Sequence, residues 1–99
     1  MPIKSFRNQV TLDIYQGVNS KKSRRILPVE LHDKARRMLD RLDKAQSVEE
    51  IEATPGYGLE ILGGDREDQL SIRINEQYRI CFYWSAGNAH AVEIVDYHD

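Results

Sequence analysis

The chain has 99 residues, 14 Lys or Arg against 16 Asp or Glu, three His and one Cys, with a formal net charge of -2. That length suits one domain, residues 1–99, with a single core that needs neither a disulfide nor a structural metal. No apolar run is long enough to cross a bilayer and Met1-Pro2-Ile3-Lys4 opens no signal peptide, so a cytoplasmic product is expected.

The net charge hides a division along the chain. Residues 1–44 hold eleven Lys or Arg against five Asp or Glu, and residues 45–99 hold three against eleven. A basic N-terminal half of this kind fits phosphate backbones, and equally fits ordinary solvated helix surface.

Ser5 is placed to cap a first helix in which Phe6, Val10 and Ile14 share a face, with Gly17 at its end. The polar run from Asn19 to Arg25 reads as a linker or as a phosphate-contacting loop carrying Lys21, Lys22, Arg24 and Arg25. Pro28 suits the first turn of a second helix, where its missing N–H costs nothing. Leu31, Ala35, Met38 and Leu42 then recur at helical spacing as an apolar stripe, with Lys34, Arg37 and Arg41 as a cationic ridge on its flank. Ser47 and Glu50 match a capping box for a short helical turn, which Pro55-Gly56-Tyr57-Gly58 breaks.

Strands follow. Leu59 to Leu62 reads as a short strand and Gly63-Gly64-Asp65 as the turn after it. From Leu70 to Ile74 the apolar residues fall at every second position, the period of a strand buried on one face. After Asn75-Glu76-Gln77, the next run sets Tyr78, Ile80, Phe82 and Trp84 on one face and Arg79, Cys81 and Tyr83 on the other. Arg79 should therefore project from the sheet side away from the core. Ser85 to Asn88 is a second hairpin signal, and a last run from Ala89 ends in Asp96-Tyr97-His98. The expected fold is α+β, with N-terminal helices packed on one face of a small antiparallel sheet whose other face is free.

The three histidines are scattered and Cys81 has no sequence partner, so no metal spacing exists and no cofactor is expected. Chemistry-bearing residues gather instead as Arg66, Arg73 and Arg79 with Asp96, Tyr97 and His98, groups able to hold a phosphodiester and move its proton.

Four motifs in order, Leu59-Glu60-Ile61-Leu62-Gly63-Gly64-Asp65-Arg66, Leu70-Ser71-Ile72-Arg73-Ile74-Asn75, Tyr78-Arg79-Ile80-Cys81-Phe82 and Val95-Asp96-Tyr97-His98, resemble the successive signatures of the HigB toxins of the RelE superfamily. The resemblance also takes in Ile3-Lys4-Ser5-Phe6 and the helix ending near Leu42-Asp43. It implies a microbial-ribonuclease-like sheet with N-terminal helices, and a ribosome-dependent endoribonuclease that cuts mRNA in the decoding site of the small subunit. It further implies a HigA-like helix-turn-helix antitoxin as partner. Arg66 and Arg79 match the family's phosphate-binding arginines, Tyr97 and His98 its terminal catalytic pair, and Asp96 the acid before them. Glu60 and Gly63 stand where the family carries a histidine and a lysine, which leaves Glu60 as a candidate base.

Overall fold

The computed structural model describes residues 2–97. The expected Ser5-capped helix starts later: α1 is Gln9–Gln16, capped by Asn8, whose Oδ1 accepts from the Thr11 backbone N–H at 3.0 Å, and closed by Gly17 at φ 78°. Residues 3–6 instead run extended beside the last strand, in parallel bridges of Ile3 with Ala89 and Phe6 with Val92. Ser5 serves that pairing, its Oγ accepting from the Ala91 N–H at 2.8 Å.

The cationic run is not a loop. It forms α2, Lys21–Ile26, capped by Ser20, whose Oγ accepts from the Ser23 N–H at 3.0 Å. A 3-10 turn at Val29–Leu31, whose Leu31 is half-buried, leads into α3, His32–Lys44, on which Ala35, Met38, Leu39 and Leu42 are buried. Asp43 is buried on the same helix and fastens it to the N-terminal segment, accepting from the Ile3 N–H and the Tyr15 hydroxyl, both at 3.2 Å. Ser47 stands at the N-terminus of α4, Val48–Glu52, without the side-chain bond that a capping box requires.

The sheet is a simple antiparallel meander, β1 Glu60–Ile61, β2 Leu70–Arg73, β3 Tyr78–Ser85 and β4 Asn88–Asp96, in that spatial order. Helix residues Ile14, Leu27, Met38, Leu39 and Leu42 pack on its Ile72, Ile80, Phe82, Val92 and Ile94 side, so the helices lie on one face as expected.

One irregularity decides the faces of β4. Cys81 pairs with Glu93 but Tyr83 with His90, so Ala91 and Val92 together oppose Phe82, and Ala91 takes φ 51°. This bulge lets Ala89 on one side of it and Val92 and Ile94 on the other all face the core, while Glu93 joins the opposite side.

Candidate active site

The side of the sheet away from the helices carries two cross-strand rows. Register sets Glu60, Ser71, Cys81 and Glu93 side by side in one, and Arg73, Arg79 and Val95 in the next. Residues facing each other across antiparallel strands share a face, so the pairing alone brings two carboxylates and two guanidiniums together.

Arg79 is the centre of the arrangement. It does lie on the side away from the helices, but it does not project from an open face: the residue is only 6% exposed. Glu60 covers it from β1, with Oε1 3.5 Å from Arg79 Nη1 and 3.6 Å from Arg73 Nη2. Tyr97 covers it from the end of β4, its ring centre 4.9 Å from the guanidinium carbon, a cation–π distance. The backbone N–H of Tyr97 bonds to the Gln77 carbonyl at 2.8 Å, which fixes the approach of the ring.

The contacts around Arg79 leave capacity for a ligand. Its Nε is buried and has no hydrogen-bond partner among the described residues. The Glu60 contacts exceed the 2.7–2.9 Å of a tight charge-assisted bond. An anion that met both arginines would therefore gain donors the carboxylate does not saturate.

A second cluster adjoins the first. Arg66, in a 3-10 turn at Gly64–Arg66, points Nη1 at Glu93 Oε1, 3.2 Å, and at Gln69 Oε1, 3.0 Å. Arg7 reaches the same Glu93 oxygen at 3.7 Å. Cys81 lies on the strand between the clusters, and burial pushes its thiol up to about 11, against the pull of Arg66 and Arg79. It is an inert floor residue rather than a nucleophile.

The remaining sequence candidates separate into two groups. Lys34, Arg37 and Arg41 are exposed along α3, and the last two lie close enough to Tyr57 for their charge to oppose the rise in its hydroxyl pKa that burial causes. Tyr57 in turn receives the Arg73 N–H on its carbonyl at 2.7 Å, so this ridge leads to the Arg73–Glu60 edge of the site. Lys21, Lys22, Arg24 and Arg25 are exposed on α2, with Arg24 Nη1 occupied by the Asn19 carbonyl at 2.9 Å.

Asp96 pairs in register with Tyr78, one step out of phase with Val95, and its Oδ2 accepts from Gln77 Nε2 at 3.1 Å. Strand alternation thus does not place it beside Arg79. His98 lies outside the described residues. Sequence reading missed Glu93, Gln69, Arg7 and Tyr57; alternation along β4 would have found Glu93 had the bulge been foreseen.

A family model described as RelE-like toxin of the type II toxin-antitoxin system HigB matches residues 4–98. The chain is 37% identical over 68 residues to Toxin HigB-1 of Vibrio cholerae serotype O1, an alignment covering 69% of this chain and 72% of that protein. It is 32% identical over 97 residues to Endoribonuclease HigB of Proteus vulgaris, covering 97% of this chain and 99% of that one. The chain belongs to the HigB-like toxin family, the RelE-like toxins of type II toxin-antitoxin systems.

Proposed function

We propose that the chain is an endoribonuclease toxin that inhibits translation by cutting mRNA in the ribosomal A site, and that a HigA-like helix-turn-helix antitoxin holds it in check. The observation that carries this reading is the buried guanidinium of Arg79, set between Glu60 and the Tyr97 ring with an unpartnered Nε. A relative that aligns over nearly its whole length bears the name Endoribonuclease HigB, which supports the same reaction.

In this mechanism the ribose 2′-oxygen forms a bond to the adjacent phosphorus and the bond from phosphorus to the 5′-oxygen breaks, leaving a cyclic phosphate. Glu60 takes the 2′-hydroxyl proton, since its carboxylate lies against both arginines that would hold the phosphate. Arg79 and Arg73 stabilise the charge that develops on the phosphoryl oxygens, and Arg66 extends the anionic track. Tyr97 fixes the Arg79 fork and closes one side of the site, and His98 returns a proton to the leaving 5′-oxygen. Asp96 supports the chain end that carries these two.

The basic residues of α2 and α3 would bind ribosomal RNA by its phosphates, because they are exposed cations. A second reading, a weakly active or inactive toxin-fold protein that only binds antitoxin or RNA, is favoured by Glu60 and Gly63. A Cβ at Gly63 would meet nothing within 4 Å, so the position has room for a side chain that this sequence does not supply.

Single-turnover cleavage of mRNA on programmed ribosomes tests the reading. Cutting by the wild type and its loss in Arg79→Ala support it; ribosome binding without cleavage would establish the second reading instead.

A further inference from the structure

The cleft between the 3-10 turn and β4 is not needed to hold the scissile phosphate, yet it is built from recognition groups. Arg7, Asp65, Arg66, Gln69, Tyr83 and Glu93 line a space of about 420 Å³, ample for one nucleobase. Its inner wall is fixed: Gln69 is 2% exposed and accepts from Arg66 Nη1, and Glu93 accepts from the same nitrogen. Both arginine contacts to Glu93 fall on Oε1. Oε2 is thus the acceptor left for a ligand among the described residues.

The position fits a neighbouring nucleotide. Cys81, the cross-strand partner of Glu93, lies two residues from Arg79 on β3, about 7 Å along the strand. A nucleotide splayed out beside a phosphate held at Arg79 would reach this cleft and find the Tyr83 ring as a stacking surface.

We propose that this cleft reads one of the two bases flanking the cut, through Glu93 Oε2, and favours bases with an exocyclic amino group over uracil. The inference rests on the endonuclease reading above and adds sequence choice to it. Adenine, cytosine and guanine each carry an amino group that can donate to a carboxylate oxygen; uracil carries none. The Arg66 guanidinium, oriented by Gln69, keeps the carboxylate in place, so a uracil carbonyl turned towards it meets an acceptor facing an acceptor.

The alternative role of the cluster is purely structural, since Glu93 also ties Arg7 and Arg66 to β4. The experiment separates the two. Ribosomes are programmed with mRNAs carrying each of the four bases at each position flanking the cut, and single-turnover rates are measured. For the wild type, uracil at one of the two positions should slow cleavage about fivefold, the worth of one hydrogen bond. Glu93→Gln, which offers both a donor and an acceptor, should narrow that difference to within about twofold. Arg7→Ala removes the staple but not the acceptor, and should leave the preference as it is. A wild type indifferent to uracil at both positions overturns the proposal, as does a Glu93→Gln protein slowed equally for all four bases. A wild type that cuts no mRNA on the ribosome overturns the endonuclease reading together with this one.

Discussion

The Tyr97 ring lies over the Arg79 guanidinium at 4.9 Å and turns the most deeply buried cation of the sheet into part of an enclosed wall. A charge in such a place is weakly screened, so it acts more strongly on a phosphate than a surface arginine does. It is also costly to bury unless paired, which explains why Glu60 is drawn against it.

Arg79→Ala is expected to lower single-turnover cleavage about a hundredfold, equivalent to roughly 3 kcal/mol of transition-state stabilisation. Arg79→Lys should recover only part of that loss, because a lysine keeps the charge but not the fork shared between Glu60 and a phosphate. Circular dichroism serves as the folding control. Cleavage by Arg79→Ala at the wild-type rate would move the phosphate site to Arg66 and Arg73.

Replacing Lys21, Lys22, Arg24 and Arg25 together by Ala should weaken ribosome binding and flatten its dependence on salt. Because these residues form α2 rather than a loop, alanine keeps the helix, and the Ser20 cap to Ser23 is untouched. Each lost phosphate contact removes about 0.7–0.9 from the slope of log affinity against log salt, so the four replacements should lower the slope by up to about 3.6. Sedimentation with ribosomes across a salt series measures it, and an unchanged slope rejects the contact.

Cys81 gives a prediction in pH. Burial raises its folded pKa from 9.0 to about 11, so between those values the folded thiol keeps a proton that the unfolded thiol has lost. Fewer bound protons in the unfolded state mean that stability falls as pH rises through this window and is unaffected below it. Tyr15, raised from 10.0 to about 12 by burial and then by Asp43, adds to the fall at its upper end. Urea melts between pH 8 and 11 should show the decline, with Cys81→Ala showing less of it. Iodoacetamide at pH 7 should label the native protein far more slowly than the unfolded one.

The sheet was legible from sequence because the apolar alternation of Leu70 to Ile74 and Tyr78 to Trp84 marks the core face of β2 and β3, although Ser71, Arg79 and Cys81 on the other face are buried too. The helical segments were less so. Lys21–Ile26 has no apolar stripe, and its helix depends on the Ser20 cap and on burial of Ser23, a polar residue no hydrophobic pattern can mark. Ser5 and Phe6 read as the cap and first residue of a helix, but pairing with β4 captures residues 3–6, a long-range bond that local propensity cannot weigh. The site shows the same limit. Arg73, Arg79 and Tyr97 follow from strand phase, whereas Glu93 depends on the Ala91 bulge and the enclosure of Arg79 on a tertiary contact with Glu60.

Glu60 carries the last prediction, because its two arginine contacts allow two roles. If it takes the 2′-hydroxyl proton, Glu60→Gln should slow cleavage about 10²–10⁴-fold while preserving side-chain volume. If it only occupies the anion seat between Arg73 and Arg79 until RNA arrives, the amide should bind less strongly to both and let substrate in more easily, so cleavage should hold or rise. The residue is half exposed and its contacts are long, so the substitution should cost little stability, and rate rather than folding is the readout. Deleting His98 and Asp99 in a parallel protein completes the test. Under the proposed mechanism both changes are slow, because one removes the base and the other the acid, and combining them should add little beyond the slower of the two. A fast Glu60→Gln protein with a slow truncation would transfer the base role to His98 and leave Glu60 as the occupant that the scissile phosphate displaces.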